Sequence, residues 1–406
     1  MAAPSRTFEY TVFDNNGKKR VQRIEAPGDQ AVAAHLRERG MVAVDIREVK
    51  TTGLNREVRF SSRIKPKDVV VMTRQLATMV NSGLSLLRAL SVLAEQTANE
   101  RLARIMLEIA GVVENGGTLA DGFASHGRIF SPVVIAMIRA GETGGFLDQV
   151  LVTVADNMEA EIKLRRTVKS AMTYPTLVVG VAVLVVIGML IGVVPIFAGI
   201  FASLGSELPL PTRMLIVAAD IMKIAGPVML VATIFGVIWW NKNKNLPAIR
   251  AKVDPLKLRV PLFGDLMKKV ALARFCRNLS TMTRVGVPVV QALEVVGDTA
   301  GNIVIAEAVG RVREAVMRGE PIGRAMASES IFPAMIRQMV SVGEDAGSLD
   351  TMLSKVAGFY DDEVTATTNS LTSIIEPLLI VIVGAVVGSI LIALYLPIFQ
   401  LSTVLE

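Results

Sequence analysis

A single cysteine, Cys276, and two histidines, His35 and His126, are all that 406 residues offer of the softer metal ligands. One cysteine excludes an internal disulfide framework and any cysteine-based metal knuckle, and two distant histidines cannot furnish a histidine-rich site. Also missing are Gly-x-x-x-x-Gly-Lys-Ser/Thr, His-Glu-x-x-His and Gly-x-Ser-x-Gly. Phosphate cradling, zinc hydrolysis and nucleophile-elbow chemistry therefore lack their minimum parts, and neither an enzyme nor a cofactor is expected. Charged residues are scarce at 20%, against 51% hydrophobic, and mean hydropathy is +0.49. That is too apolar for an ordinary soluble chain and too charged for one made only of membrane helices. Met1 to Glu25 contains Arg6, Lys18, Lys19, Arg20 and Arg23 but no apolar run of the signal-peptide kind, so the amino terminus is expected in the cytoplasm. The net charge of +6 does not read as nucleic-acid binding, because the basic residues cluster beside apolar segments.

What the chain does have is a duplication. Arg74-Gln75-Leu76-Ala77-Thr78-Met79-Val80-Asn81-Ser82-Gly83 returns as Arg277-Asn278-Leu279-Ser280-Thr281-Met282-Thr283-Arg284-Val285-Gly286. Gly141-Glu142-Thr143-Gly144-Gly145-Phe146-Leu147-Asp148 returns as Gly343-Glu344-Asp345-Ala346-Gly347-Ser348-Leu349-Asp350, and Pro195-Ile196-Phe197 as Pro397-Ile398-Phe399. A displacement of roughly 200 residues is a duplicated domain, far outside the short periods of solenoids and propellers. Each copy joins a polar helical part to an apolar segment.

Three segments are long and apolar enough to cross a bilayer, which takes about 20 residues. Residues 171–201 form the first, with Pro175 at its entry and Pro195 near its exit; 214–240 form the second, closed by Trp239-Trp240 as an interfacial belt; 374–399 form the third, with Pro377 and Pro397 in the matching places. Arg165, Arg166 and Lys169 before the first, and Lys242, Lys244, Arg250 and Lys252 after the second, are expected on the cytoplasmic side. Two homologous soluble domains must share a compartment, which needs an even number of crossings between them, and two are present. The predicted carboxyl terminus is then external.

The expected fold is mainly α: a polytopic membrane protein with two homologous cytoplasmic helical bundles, three transmembrane helices and a small amino-terminal α+β module. The module spans 1–50, with strands at Phe8–Phe13, Arg20–Glu25 and Val42–Val49 and a helix at Asp29–Arg39. A linker at 51–66 leads to the first bundle, 67–170; an external loop at 202–213, a connector at 241–270, the second bundle at 271–373 and an external tail at 400–406 complete the plan. Within the first bundle, helices are expected to end at Gly83 and Gly116, with short ones at Leu119–Ala124 and Pro132–Ala140.

The repeated Gly-Glu-x-x-Gly-x-Leu-Asp is the sharpest local motif. Its structural reading makes Gly141, Gly145, Gly343 and Gly347 turn glycines between helices and makes Asp148 and Asp350 caps on the helices that follow, with Glu142 and Glu344 in the turn. A divalent cation on Glu142 and Asp148 stays open as the chemical alternative. Gly188-x-x-x-Gly192 and Gly384-x-x-x-Gly388 sit in crossings one and three, where small residues spaced by four let helices pack closely, within the chain or between copies. Asp220 and Lys223 at the edge of crossing two read as a solvated ion pair rather than a transport site. A small-solute transporter would be expected to use more crossings.

Thr73-Arg74-Gln75-Leu76-Ala77-Thr78-Met79 with Gly83, Gly141-Glu142 with Gly145 and Leu147-Asp148, Tyr174-Pro175, Gly343-Glu344, and Glu376-Pro377-Leu378 through Tyr395-Leu396-Pro397-Ile398-Phe399 resemble one family over nearly the whole chain. It is the bacterial type II secretion F and type IV pilus assembly C proteins, called inner-membrane platform proteins. The wording is nearer the pilus branch. Ser85 replaces the proline frequent after Gly-Leu in the first copy, while Pro288 keeps it in the second. The resemblance implies a non-enzymatic scaffold in the bacterial inner membrane that self-associates. It also implies contact with a hexameric cytoplasmic assembly ATPase, with pilin or pseudopilin subunits and with other inner-membrane assembly proteins.

Overall fold

The computed structural model describes residues 6–13, 19–26, 43–48, 63–203, 209–244, 246–261 and 263–404. They fall into two units, Met1–Ser62 and Arg63–Glu406. In the first unit, Phe8, Tyr10 and Val12 alternate with Thr7, Glu9 and Thr11, the period-two pattern of a strand. Strand β1, Arg6–Phe13, is the centre of an antiparallel sheet ordered β2-β1-β3, with β2 at Lys19–Ala26 and β3 at Ala43–Glu48. The helix expected at 29–39 and the turn at 14–17 lie outside the described residues, so the α+β description is carried no further than these strands.

The second unit is helical throughout its described residues. Its first copy runs α1 Pro66–Asn81, α2 Leu86–Gln96, α3 Glu100–Glu114, α4 Leu119–Ala124, α5 Pro132–Gly144 and α6 Leu147–Gly188. A π-helical turn, Met189–Val193, leads to α7 Val194–Ser203, and α8 Leu210–Asn243 and α9 Pro247–Arg259 follow. The second copy comprises α10 Phe263–Arg284, α11 Val289–Thr299, α12 Ile303–Met317, α13 Ile322–Ala327, α14 Ala334–Asp345 and α15 Leu349–Val404.

Local chemistry sets the helix ends. Pro66 occupies the first turn of α1, where its missing N–H would be unpaired anyway, and Asn99 caps α3 by accepting from the Arg101 and Leu102 amides at 3.2 Å. The matching Asn302 caps α12 by accepting from Val304 N–H at 2.9 Å. Gly83 and Gly116 end their helices at φ +86° and +84°, and Gly286 and Gly319 repeat this at +76° and +89°. A side chain at any of these positions would strain the backbone.

Met72, Leu76, Leu90, Leu93, Met106 and Ile109 are fully buried, as are their second-copy neighbours Phe275, Leu279, Leu293, Val296 and Val309. One continuous apolar cluster contains both sets. The aromatic pairs Phe123–Phe130 and Phe275–Phe332 stand 4.2 Å and 5.3 Å apart at the ring centroids, with Phe130 and Phe332 at matched places in the two copies.

Among the described residues, three helical runs are long and apolar enough to cross a membrane: Leu147–Ile200, Leu210–Asn243 and Leu349–Leu396. Leu184, Ile224 and Phe235 are 70%, 79% and 71% exposed. Such apolar display is costly in water and normal toward lipid. The placement of the prolines differs from the expectation that they mark helix entry and exit. Pro175 is buried inside α6, Pro377 and Pro397 lie inside α15, and only Pro195 stands near a helix start, at the second residue of α7. Each bundle's last helix already runs on into the apolar segment, so there is no new helix for Pro175 or Pro377 to open. The π turn just ahead of Pro195 is the place where the extra residue per turn makes room for its ring and missing donor.

Candidate functional site

The repeated Gly-Glu motif assembles the same contact twice. In the first copy, Glu142 stands on α5 and receives two backbone amides from the start of α4, Leu119 N–H at 2.5 Å and Ala120 N–H at 2.9 Å. In the second, Glu344 on α14 receives Ile322 N–H at 2.8 Å and Gly323 N–H at 3.0 Å from the start of α13. The first amides of a helix have no partner within it and carry the positive end of its dipole, so a carboxylate supplied from a neighbouring helix both pairs and neutralises them. Thr118 adds a cap of its own, accepting from Asp121 N–H at 3.0 Å. Pro321 holds that position in the second copy and makes no side-chain cap, which leaves the work to Glu344.

This geometry corrects three expectations about the motif. Gly141 lies inside α5 rather than in a turn, because that helix continues to Gly144. A Cβ on Gly141 would come within 2.7 Å of Val150 Cγ2, and one on Gly343 within 3.0 Å of Leu349 Cα, so both glycines admit the long helix against its predecessor. Gly145 and Gly347 are the turn glycines, at φ +75° and +63°. Asp148 is not the cap of α6; Phe146 holds that position without a side-chain cap bond, and Asp148 sits in the first turn, where it favours the helix dipole. Asp350 likewise lies in the first turn of α15, with Arg284 Nε 3.6 Å from its carboxylate. Both oxygens of Glu142 face N–H groups, an arrangement that repels a cation, and no three His, Cys, Asp or Glu side chains gather to hold a metal among the described residues.

A second repeated contact ties each bundle's opening helix to its long one. Arg74 on α1 bonds Asp156 at 2.5 Å and Glu159 at 2.7 Å on α6. Arg277 on α10 bonds Asp361 on α15, the position that matches Glu159. The hydrogen bonds that Arg74 donates to Glu159 and Asp156 push its guanidinium up, and Arg74 in turn holds the Glu159 carboxyl below its ordinary range. The neighbouring Cys276 is fully buried, and burial drives its thiol well above the usual value against a smaller opposing pull from Arg277. Burial also pushes Tyr360 on α15 up to about 12.

The copies meet along a seam where α6 packs against α10 and α15. Asn157, only 7% exposed, donates to Asn278 Oδ1 at 3.2 Å and Thr281 Oγ1 at 3.1 Å. Arg274 faces Glu161 across the same seam at 3.7 Å. The connector helix α9 is fixed by Asp254, 1% exposed, which accepts from Lys257 Nζ at 2.8 Å and from Ile303 N–H at 3.2 Å. None of these roles was visible beforehand. Arg74 and Arg277 stood out only as markers of the repeat, and the polar residues of the seam carry no spacing signal.

In the apolar part, Leu190 and Val194 pack with Ala219, Ile390 and Leu394, and Thr212 donates to Ala393 O at 2.6 Å. Gly188, Gly192, Gly384 and Gly388 do not take part: a Cβ at any of the four would meet nothing within 4 Å, so they bring no helices of this chain together. Asp220 and Lys223 form an exposed ion pair at 2.9 Å.

Sequence comparison assigns this architecture to a family. The model of the type II secretion system (T2SS), protein F, matches twice, at residues 72–195 and 275–397, over the two copies. The type II secretion system protein F, N-terminal domain, matches 1–47. The type IV pilus assembly protein PilC of Thermus thermophilus is 41% identical over 401 residues, covering 97% of this chain and 98% of its own. That of Myxococcus xanthus is 39% identical over 404 residues, covering 98% and 96%. A type II secretion system protein F from Pseudomonas aeruginosa is 33% identical over 399 residues, covering 97% and 98%. With both copies and the amino-terminal segment matched in order, and relatives aligned nearly end to end, the chain belongs to the type II secretion system protein F family.

Proposed function

We propose that this protein is the non-enzymatic inner-membrane platform of a type IV pilus assembly machine. The observation that carries the reading is the near end-to-end likeness to two proteins named for type IV pilus assembly, at 41% and 39% identity. On this reading, residues 67–170 and 271–373 act as cytoplasmic bundles that meet a hexameric assembly ATPase. Residues 171–201, 214–240 and 374–399 cross the membrane and meet pilin subunits and other inner-membrane assembly proteins. The amino terminus is cytoplasmic and the carboxyl terminus external, as the basic flanks Arg165, Arg166 and Lys169 favour. The unpartnered faces at Gly188, Gly192, Gly384 and Gly388 then serve self-association, where small residues permit close approach.

Coupling has a physical route. Each bundle's final helix enters the apolar segment without a break, and Arg74 and Arg277 tie that helix to the bundle's opening helix. A displacement of either bundle thus reaches the bilayer through hydrogen-bonded backbone.

The equivalent role in a type II secretion system, assembling a pseudopilus, is the second reading, favoured by the relative of that name at 33% identity. Deletion of the chromosomal gene, complemented by the intact gene, separates the two. Filament loss by electron microscopy with normal secretion supports the pilus role. Lost secretion with intact filaments supports the other, and an unchanged strain in both assays overturns both.

A further inference from the structure

We propose that the first copy carries a binding groove for the headgroup of an anionic phospholipid, between the start of α1 and the middle of α6, and that the second copy has lost it. The groove has a volume of about 730 Å³ and is lined by four cations, Lys67 of α1 and Lys163, Arg166 and Lys169 of α6. None of the four forms an ion pair with a described residue. The single acid in its wall, Glu159, is already held by Arg74 at 2.7 Å. The groove therefore gathers positive charge that no acid in its described wall offsets. Val71, 46% exposed, and Ile162 give it an apolar side.

Position along the helix selects the ligand. Lys169 is the last charged residue before the apolar stretch of α6, and Arg166 and Lys163 stand about one and two turns earlier on the same face. Cations at that level meet the phosphate layer of the inner leaflet, where anionic lipids concentrate, and each contributes about 1 kcal/mol to binding them. A phosphate would sit among the cations while the glycerol and first acyl carbons cover the apolar side.

The second copy acts as an internal control. Thr365, Thr368 and Leu371 replace Lys163, Arg166 and Lys169, and Val270 replaces Lys67. Moreover, α10 begins at Phe263, ahead of Lys269, the position that matches Pro66. Those added turns lie on α15: Leu266 is fully buried, and Lys269 bonds Thr367 Oγ1 at 2.8 Å and Glu363 at 2.9 Å. Where the second copy fills the groove with its own chain, the first leaves it open and basic.

The test uses the full-length protein in neutral detergent, titrated with short-chain phosphatidylglycerol, short-chain phosphatidylcholine or inorganic phosphate, with thermal unfolding as the readout. Phosphatidylglycerol is expected to raise the melting temperature, and the other two are not. The double variant K67Q/R166Q should require about thirtyfold more phosphatidylglycerol for the same shift. K242Q/K244Q, at the other basic flank, should behave as wild type, and Arg166→Lys should retain most of the response if the double variant folds poorly. Equal stabilisation by phosphatidylcholine, or an unchanged titration in K67Q/R166Q and Arg166→Gln, would overturn the proposal. Equal stabilisation by inorganic phosphate would overturn the lipid assignment in favour of a soluble anion, and loss of partner-protein binding with lipid response intact would assign the groove to a protein instead.

Discussion

At the scale of single residues, the decisive group is a carboxylate that belongs to one helix and satisfies another. Removing Glu142 leaves the Leu119 and Ala120 amides of α4 unpaired, so Glu142→Ala is expected to cost about 2 kcal/mol, read by thermal unfolding of the detergent-solubilised protein. Asp148→Ala removes only a favourable charge from a first helical turn and should cost about 0.5 kcal/mol. A reversed ranking would restore Asp148 as the cap. Cys276 supplies a pH test. Its buried thiol ionises less readily in the folded chain than in the unfolded one, so the contribution to stability is intact below about pH 8.5 and declines above it, by about 1.4 kcal/mol per pH unit. Cys276→Ala should flatten that alkaline decline, and maleimide should label Cys276 only after unfolding. The motif around these residues is legible in the sequence because both copies spell it, yet the partner of its glutamate is not. Its partners, Leu119 and Ile322, are apolar residues whose backbone alone takes part, and backbone donors leave no mark on composition.

At the scale of elements, the helix pattern was legible and the joints were not. Leu119–Ala124 and the stops at Gly83 and Gly116 followed from periodicity and glycine, which act locally. The end of α5 did not, since Gly141 reads as a breaker until Val150 is seen packed where its side chain would stand. Pro175 and Pro377 misled for a related reason: a proline opposes a helix by about 3 kcal/mol, which a long apolar helix inside a membrane outweighs because its other backbone groups have no water to turn to. The stretch between the Arg74 tie and the apolar segment has no such protection. Ala160→Pro in α6 should therefore break the link, abolishing surface filaments while membrane insertion and expression persist, by microscopy and fractionation. Normal piliation by a stably expressed variant would sink the coupling route.

At the scale of the whole molecule, duplication was visible from the repeated words, but the union of the two copies into one core was not. The polar contacts of the seam include Asn157, Asn278 and Thr281, ordinary residues whose matched positions do not repeat the contact. Burying an unpaired amide costs more than the bond returns, so Asn157→Ala should lower stability by about 1 to 2 kcal/mol and accelerate proteolysis between the copies in the full-length protein. Asn115→Ala, away from the seam, deletes only an exposed bond to Gly111 O at 2.7 Å and should not accelerate proteolysis between the copies. The matched halves also differ in compliance. The first copy's strut is interrupted by the π turn at Met189–Val193, whereas the second copy's α15 is a single rod of 56 residues, about 84 Å long. Two parallel members of unequal stiffness do not share a load equally: the second should bear most of the bending force, and the first should act as the spring that lets the outer ends shift against each other.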